Sequence, residues 1–301
     1  MRKFEQYLPK EIIKRGEELK NYTTFGIGGK CSAVLLPRTK QELIKSIKTC
    51  KLLNARFQVL GNGSNVLAFS KPTRRVFIVT TNMDKKITMN KTSVVVNSGV
   101  MLGELIMWCK EQGLSGLESL YGIPATIGGA IMMNAGAFGC EIFDCLESID
   151  VYDKGKTKTI SKDQIAHAHH YTSLLKSALV ILSAKFKFNR LAPSVIFSKI
   201  KEAIEKRTLS QPKGKSAGCV FRAVNGVSAG KIIDELGLKG LRVGGAVVSD
   251  VHANFIINDN FATDQDVKTL IERLQFELYT NKGITLEREI EYIGDRDEYY
   301  R

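Results

Sequence analysis

Gly122-Ile-Pro-Ala-Thr-Ile-Gly-Gly-Ala-Ile-Met-Met-Asn-Ala-Gly-Ala-Phe-Gly139 is the stretch whose reading decides this chain. Gly122, Gly128, Gly129, Gly136 and Gly139, with Ala130 among them, leave almost no side chain between the backbone and whatever lies beside it. Glycine weakens a helix or strand by about 0.5–1 kcal/mol relative to alanine. A cluster this dense therefore marks close approach or positive φ. Clustered N–H groups that nothing shields suit a phosphate or the edge of a flat ring. A tight loop between core elements is the competing reading, and this segment alone does not separate the two.

Working outward, Val59-Leu-Gly-Asn-Gly-Ser-Asn-Val-Leu67 runs an apolar strand end into Gly61, Asn62, Gly63, Ser64 and Asn65, again exposing donors beside small polar side chains. Earlier still, Asn21-Tyr-Thr-Thr-Phe-Gly-Ile-Gly-Gly29 makes a third glycine-rich turn. None of the three is a G-x-G-x-x-G between strand and helix followed by an acid about 20 residues on, so no Rossmann fingerprint is present. No segment reads as a P-loop. Three glycine turns before residue 140 suggest one extended ligand with a diphosphate, held by loops from several strands.

Composition bounds the remaining classes. With 301 residues, 44% of them hydrophobic, the chain can bury a core and form one to three domains. Its six cysteines, Cys31, Cys50, Cys109, Cys140, Cys145 and Cys219, show no C-x-x-C pair and no metal-like spacing with histidine. Reduced thiols in a cytosolic protein are the expectation. The first residues carry no apolar leader, and no apolar run approaches the roughly 18 residues of a spanning helix. A soluble, cytoplasmic protein without membrane insertion is predicted, a monomer or weak oligomer. The net charge of +13 raises the question of nucleic acid. The lysines are scattered, however, without a basic helix face or stacking platform, so no nucleic-acid partner is expected.

The element pattern is α+β. A leading helix is predicted over 2–18 and further helices over Thr39–Leu53, Met101–Gln112, Val195–Arg207, Ala229–Leu236 and Asp264–Thr280. Short β runs fall at Arg56–Leu60, Val76–Thr80, Ser93–Asn97, Ser148–Tyr152, Leu179–Phe188, Ala253–Ile257 and Thr285–Ile293. The segment Asn189-Arg-Leu-Ala-Pro-Ser194 reads as the linker, giving parts 1–190 and 191–301.

The three turns, together with Lys215-Ser-Ala-Gly-Cys-Val-Phe221, Ala229-Gly-Lys-Ile-Ile233, Gly237-Leu-Lys-Gly240, His252-Ala-Asn-Phe-Ile-Ile-Asn258 and Leu286-Glu-Arg-Glu-Ile290, carry a family resemblance. In this order, over about residues 20 to 294, they resemble the flavin-dependent UDP-N-acetylenolpyruvoylglucosamine reductases of bacterial cell-wall synthesis, in the form lacking the extra inserted segment. The resemblance implies an FAD-binding region at 1–190, built of two small α/β subdomains like vanillyl-alcohol oxidase, and an α+β substrate-binding domain at 191–301. It implies FAD and NADPH as cofactors and a UDP-sugar enol ether as substrate. NADPH would reduce the flavin, hydride would then pass to the alkene, and an acid would protonate the other carbon. FAD contacts are expected at Gly61, Asn62, Gly63, Ser64 and Asn65, and at Gly122, Ile123, Pro124, Thr126, Gly128, Gly129, Asn134, Gly136 and Gly139. The glycine turns also resemble the wider oxidase family, but the motifs after residue 200 belong to the reductases.

Cys219 stands where this family most often has its proton-donating serine. A free thiol, with a pKa near 8.5, is the stronger acid of the two. A buried structural cysteine is the bland alternative. Glu289 matches the catalytic glutamate; read by itself, it shares a strand face with Glu287 and Glu291 as three solvated carboxylates. The family's Tyr-Arg-x-Ser is replaced by His169-His-Tyr-Thr-Ser-Leu-Leu175, so Tyr171 or Thr172 takes the arginine's place. A neutral hydroxyl cannot supply a bidentate charged clamp; His169, His170 or Arg222 are the candidate cations, the histidines if protonated. Ala125 stands where glycine is usual, Ala223-Val224 where Asn-Pro is usual and Val251 where lysine is usual. Two readings follow: a working reductase with a rearranged carboxylate site, or a flavin-binding paralogue of altered specificity or without turnover.

Overall fold

A computed structural model describes residues 4–294 and divides the chain into two compact units. The first takes the chain up to Lys14, then Val34–Asn62 and Val76–Arg207; the second takes Arg15–Ala33, Gly63–Arg75 and the chain from Thr208. This interleaved division replaces the single cut near residue 190. The reason lies in the cores. Phe25, Ile27 and Leu67, from the two early segments, are buried in one cluster with Ile232, Val267, Leu270 and Leu274. The expected linker is instead structured, with Asn189 and Arg190 paired antiparallel to Ser115 and Leu114.

In the first unit, α1 (Lys40–Leu52) starts at Thr39, whose hydroxyl accepts the Glu42 N–H at 3.1 Å, and buries Leu43 and Ile47. Phe57–Leu60 pairs in parallel with Val76–Val79. The main sheet runs, in spatial order, Lys156–Ser161, Leu146–Asp153, Val180–Lys187, Ser93–Asn97, Ile87–Asn90, with every neighbour antiparallel. Val94, Val96, Ile149, Val151, Ala184 and Phe186 form a single cluster with residues of α2 (Leu102–Glu111) and α3 (Ile127–Met133). α4 (Pro193–Ser210) adds Ile196 and Ile200 to that core. The leading helix does not form. Phe4–Gln6 and Lys10–Ile12 are separate 3-10 turns around Pro9, which lacks an N–H to continue a helix, and Ile13–Lys14 joins a strand pair. Residues 2 and 3 of that expected helix lie outside the described residues.

The second unit has a three-stranded antiparallel sheet, Arg242–Val243, Ala246–Val248 and Ile256–Asn258, with α5 (Ala229–Glu235) and α6 (Asp264–Lys282). α6 opens on a reciprocal cap between Thr263 and Asp266, ends at Gly283 (φ +66°) and buries Val267, Leu270, Ile271, Leu274 and Leu278 along one face. The last β run shortens to Glu291–Ile293, parallel to Val66–Ala68. No doubly wound parallel sheet occurs among the described residues, and no described helix is long and apolar enough to cross a membrane.

Candidate active site

In the first unit the structure brings Gly61 and Asn62 against the start of α3. Asn62 Nδ2 donates to the Pro124 carbonyl at 2.7 Å, and a Cβ added to Gly61 would stand 2.4 Å from Thr126 Oγ1. Thr126, 1% exposed, caps the helix by accepting the Gly129 N–H at 3.3 Å. Ile127 and Gly128 donate to the carbonyls of Val100 and Ser98, both at 2.8 Å, and Ile123 and Ala125 donate to Leu120 and Ile123. The donors of this turn are therefore not bare, contrary to the reading of the glycines as a row of phosphate ligands. Room remains: Gly129 has only Thr126 Oγ1 at 3.4 Å beside its Cβ position, and Gly139 has nothing within 4 Å. Ala125 is not among the residues with positive φ, so alanine fits where the family has glycine.

Asn134 terminates α3 in the left-handed region (φ 46°) and is fully buried. Its amide donates to Glu141 Oε2 at 2.6 Å and to the Ala168 carbonyl at 2.9 Å, so it holds the glycine hairpin from inside. The hairpin pairs Gly136 with Glu141 and Ala137 with Cys140. Beside it lie the histidines: His170 Nε2 is 3.2 Å from the Gly136 carbonyl, and the rings of His169 and His170 stack at 4.0 Å. Thr172 is fully buried and donates to the Met132 carbonyl at 2.6 Å. Of the two hydroxyls at the arginine position, Tyr171 is therefore the one left half-exposed.

Arg207 is a cation that no motif in the sequence singles out. From α4 it donates to the carbonyls of Tyr121 (2.8 Å) and Ser119 (3.3 Å), passes over Gly122 and packs on the Phe138 ring at 5.3 Å. Both ends of the glycine-rich stretch are fastened by this one side chain.

In the second unit, Gly63 adopts φ +61°, and a Cβ there would stand 2.3 Å from the Tyr22 carbonyl oxygen. Glycine is required at that point by the chain's own backbone. Thr24 donates its N–H to Gly63 at 3.2 Å and its hydroxyl to the Ser216 carbonyl at 2.7 Å, and Asn65 donates to the Glu289 carbonyl at 3.3 Å. The N–H groups of Gly63, Ser64 and Asn65 make no hydrogen bond to any described residue. A run of consecutive free donors is the chemistry a diphosphate needs.

Gly218 (φ +76°) turns the chain into Cys219, which bridges to Phe255. Asn254 secures this turn: Oδ1 accepts the Phe221 N–H at 2.9 Å, Nδ2 donates to the Phe221 carbonyl at 2.8 Å, and its carbonyl accepts the Val220 N–H at 2.8 Å. Burial, and then the Glu289 carboxylate, push the Cys219 thiol up to about 12, against a hydrogen bond from Asn254. The thiol is thus a weaker acid than the free-thiol value suggested, and it stays protonated throughout the neutral range. Glu289 is buried at 8% exposure while Glu287 is exposed, so the three glutamates do not share a solvated face. Residues 285–290 are not a regular strand: Phe221 and Arg288 make an isolated bridge, and the Glu289 N–H donates to Val220 at 2.7 Å. Asn254 and Arg207 are the supporting residues missed in the sequence. A polar Asn254 inside the apolar run Ala253–Ile257 was the available signal; none existed for Arg207.

Among known proteins, the FAD binding domain family matches residues 31–161, and the C-terminal domain family of UDP-N-acetylenolpyruvoylglucosamine reductase matches residues 210–293. The UDP-N-acetylenolpyruvoylglucosamine reductase of Caldicellulosiruptor saccharolyticus is 37% identical over 299 residues, covering 97% of this chain and 96% of its own. That of Clostridium novyi is 34% identical over 299 residues, covering 99% and 97%. The crystal structure of the reductase from Thermus caldophilus superposes with a TM-score of 0.79 at 35% identity, over 92% of this chain and 97% of that one.

Proposed function

The chain belongs to the UDP-N-acetylenolpyruvoylglucosamine reductase family of FAD-dependent oxidoreductases, and we propose that it reduces the enolpyruvyl ether of UDP-N-acetylglucosamine to UDP-N-acetylmuramate, a peptidoglycan precursor, with NADPH as electron source. FAD, when bound, supplies the hydride transfer between nicotinamide and alkene. The chain's own residues fit that group. Within the second unit, Gly63–Asn65 offer consecutive N–H donors to a diphosphate; within the first, Gly129 and Gly139 leave open the space a side chain would fill. Gly136, with its Cβ position 3.1 Å from Glu141, and Gly128, 3.1 Å from Ser98 Cβ, keep the backbone beside that space close to its own supports.

Cys219 gives the proton to the alkene carbon that does not receive hydride. Asn254's hydrogen bond favours the thiolate left behind, and the neighbouring Glu289 carboxylate favours its prompt reprotonation. Tyr171 offers a neutral hydroxyl to the substrate's carboxylate. The arrangement of Cys219, Asn254 and Glu289 within one unit is the observation that carries this reading. Purified protein should be yellow, should bleach with NADPH and should recover colour on adding the enolpyruvyl UDP-sugar. Bleaching without recovery would favour a flavin-binding relative without this turnover, the reading that Tyr171 in the arginine's place keeps open. Protein that cannot be loaded with FAD would sink both.

A further inference from the structure

In the second unit, the turn from Ser249 to Phe255 carries a chain of hydrogen bonds that leads to the Cys219 segment. Ser249 Oγ accepts the N–H groups of Val251 (3.1 Å) and His252 (3.3 Å), and Phe255 donates its N–H to the His252 carbonyl at 2.9 Å. His252 Nδ1 in turn accepts the Asn254 N–H at 3.1 Å. A backbone N–H can only donate, so Nδ1 is bare and the neutral ring carries its proton on Nε2. Burial, which moves the His252 pKa below the ordinary value, favours the same neutral form. Asn254 then directs its carbonyl, Oδ1 and Nδ2 to Val220 and Phe221, the two residues after Cys219. Val220 also accepts the Glu289 N–H, so this one clamp sets Cys219 and Glu289 relative to each other. α5 backs the chain at its start. A Cβ on Gly230 would stand 2.7 Å from His252 Cε1, 3.1 Å from Nδ1 and 3.3 Å from Asn254 Cβ, so only glycine lets the helix lie against the imidazole. The Phe255 ring meets the same imidazole edge-on at 5.0 Å. The ring has no room to swing toward α5, and its acceptor stays at the Asn254 N–H.

We propose that His252 is a positioning residue for the proton-transfer step: acting through Asn254, it fixes where the Cys219 thiol stands. The proposal rests on the reading of Cys219 as the proton donor and deepens it. A catalytic group about 1 Å out of place can lose on the order of 10²-fold in rate. A role in packing alone would change stability and flavin content, and would not single out the one half-reaction that needs the thiol.

The test is a double-mutant cycle on the FAD-loaded protein, read in stopped flow near neutral pH. H252L, matched for flavin content, should slow the maximal rate of reoxidation by the enolpyruvyl UDP-sugar about 10–100-fold and leave reduction of the flavin by NADPH close to the parent's. The solvent deuterium isotope effect on reoxidation should rise, because proton transfer then limits the step. H252N, whose Oδ1 can accept near the place of Nδ1, should recover most of the rate. Added to Cys219→Ala, H252L should slow reoxidation by no more than about threefold further, because the group it positions is already gone. N254A breaks the same chain at its next link and should behave as H252L does in each measurement, so it carries the test if H252L fails to hold flavin. Parent-like reoxidation in H252L, a loss that persists undiminished beside Cys219→Ala, or no recovery in H252N overturns the proposal and leaves Cys219 as the donor. An unchanged reoxidation rate in Cys219→Ala alone overturns the donor reading and this proposal together.

Discussion

A thiol pushed up to about 12 carries its proton at any pH near neutrality, so replacing Cys219 removes a donor and not a nucleophile. Cys219→Ala should therefore leave reduction of the flavin by NADPH intact and slow reoxidation by substrate about 10²–10⁴-fold. Cys219→Ser should recover much of that loss, because a hydroxyl can donate from the same position. An unchanged reoxidation rate in the alanine variant would remove Cys219 from the reaction. His252 makes a second residue-scale case. Its Nδ1 accepts the Asn254 N–H at 3.1 Å, a bond only the unprotonated nitrogen can make, and burial holds its pKa below the ordinary value. Between the two pKa values the unfolded chain binds more protons than the folded one. The contribution to stability is thus complete above the unfolded value, near 6.5, and is lost as pH falls below it. Urea midpoints taken from pH 7 to 5 should fall more steeply for the parent than for His252→Gln; parallel curves would mean that this ring does not titrate as described.

At the scale of elements, α3 carries the sharpest contrast between what glycine does for the protein and what it does for a ligand. Gly63 is fixed by its φ and by the Tyr22 carbonyl, so a side chain there disturbs the fold before any cofactor is reached. Gly129 is helical, with ordinary contact distance at its Cβ position. Gly129→Ala should stabilise the cofactor-free protein, by up to about 1 kcal/mol from helix propensity, yet weaken FAD retention. Thermal midpoints of the apoprotein and flavin absorbance after gel filtration read the two effects separately, and a variant that stays as yellow as the parent would place the flavin elsewhere. α1, α2, α5 and α6 were legible because each has an apolar stripe at helical spacing, and for α1 and α6 a threonine cap as well. The leading helix does not form, although the spacing predicts it, because Pro9 and Gly16 interrupt the periodic stretch. Val224 and Val227 exchange two hydrogen bonds at 2.9 Å across Asn225-Gly226, a hairpin turn that directly follows the Ala223-Val224 standing where the family has Asn-Pro and is legible from that Asn-Gly dipeptide alone.

For the molecule as a whole, local pattern ran out where the chain's organisation became non-local. The glycine turns and motifs after residue 200 sufficed for the family and its α+β class, because each is a short stretch whose residue types are constrained together. Which of them share a core is set by contacts hundreds of residues apart, such as the hydrogen bond from Asn258 Nδ2 to the Phe25 carbonyl at 3.0 Å. A cut at residue 190 follows sequence neighbours and misses this. The same contacts yield a test. Phe25, Ile27 and Leu67 are 0–3% exposed in the core built around α5 and α6, and all three lie outside residues 191–301. Losing a buried Phe costs about 3–5 kcal/mol and a buried Leu or Ile about 2–5 kcal/mol. Together these losses rival the roughly 5–15 kcal/mol that holds a typical domain folded. A fragment of residues 191–301 should accordingly keep some far-ultraviolet helix signal from α6 but show no cooperative urea transition. Supplying the early segments by fusing residues 15–33 and 63–75 to it through flexible linkers should restore part of the transition. A sharp transition in the bare fragment would show that the core tolerates the loss and that the cut at 190 is the physically meaningful one.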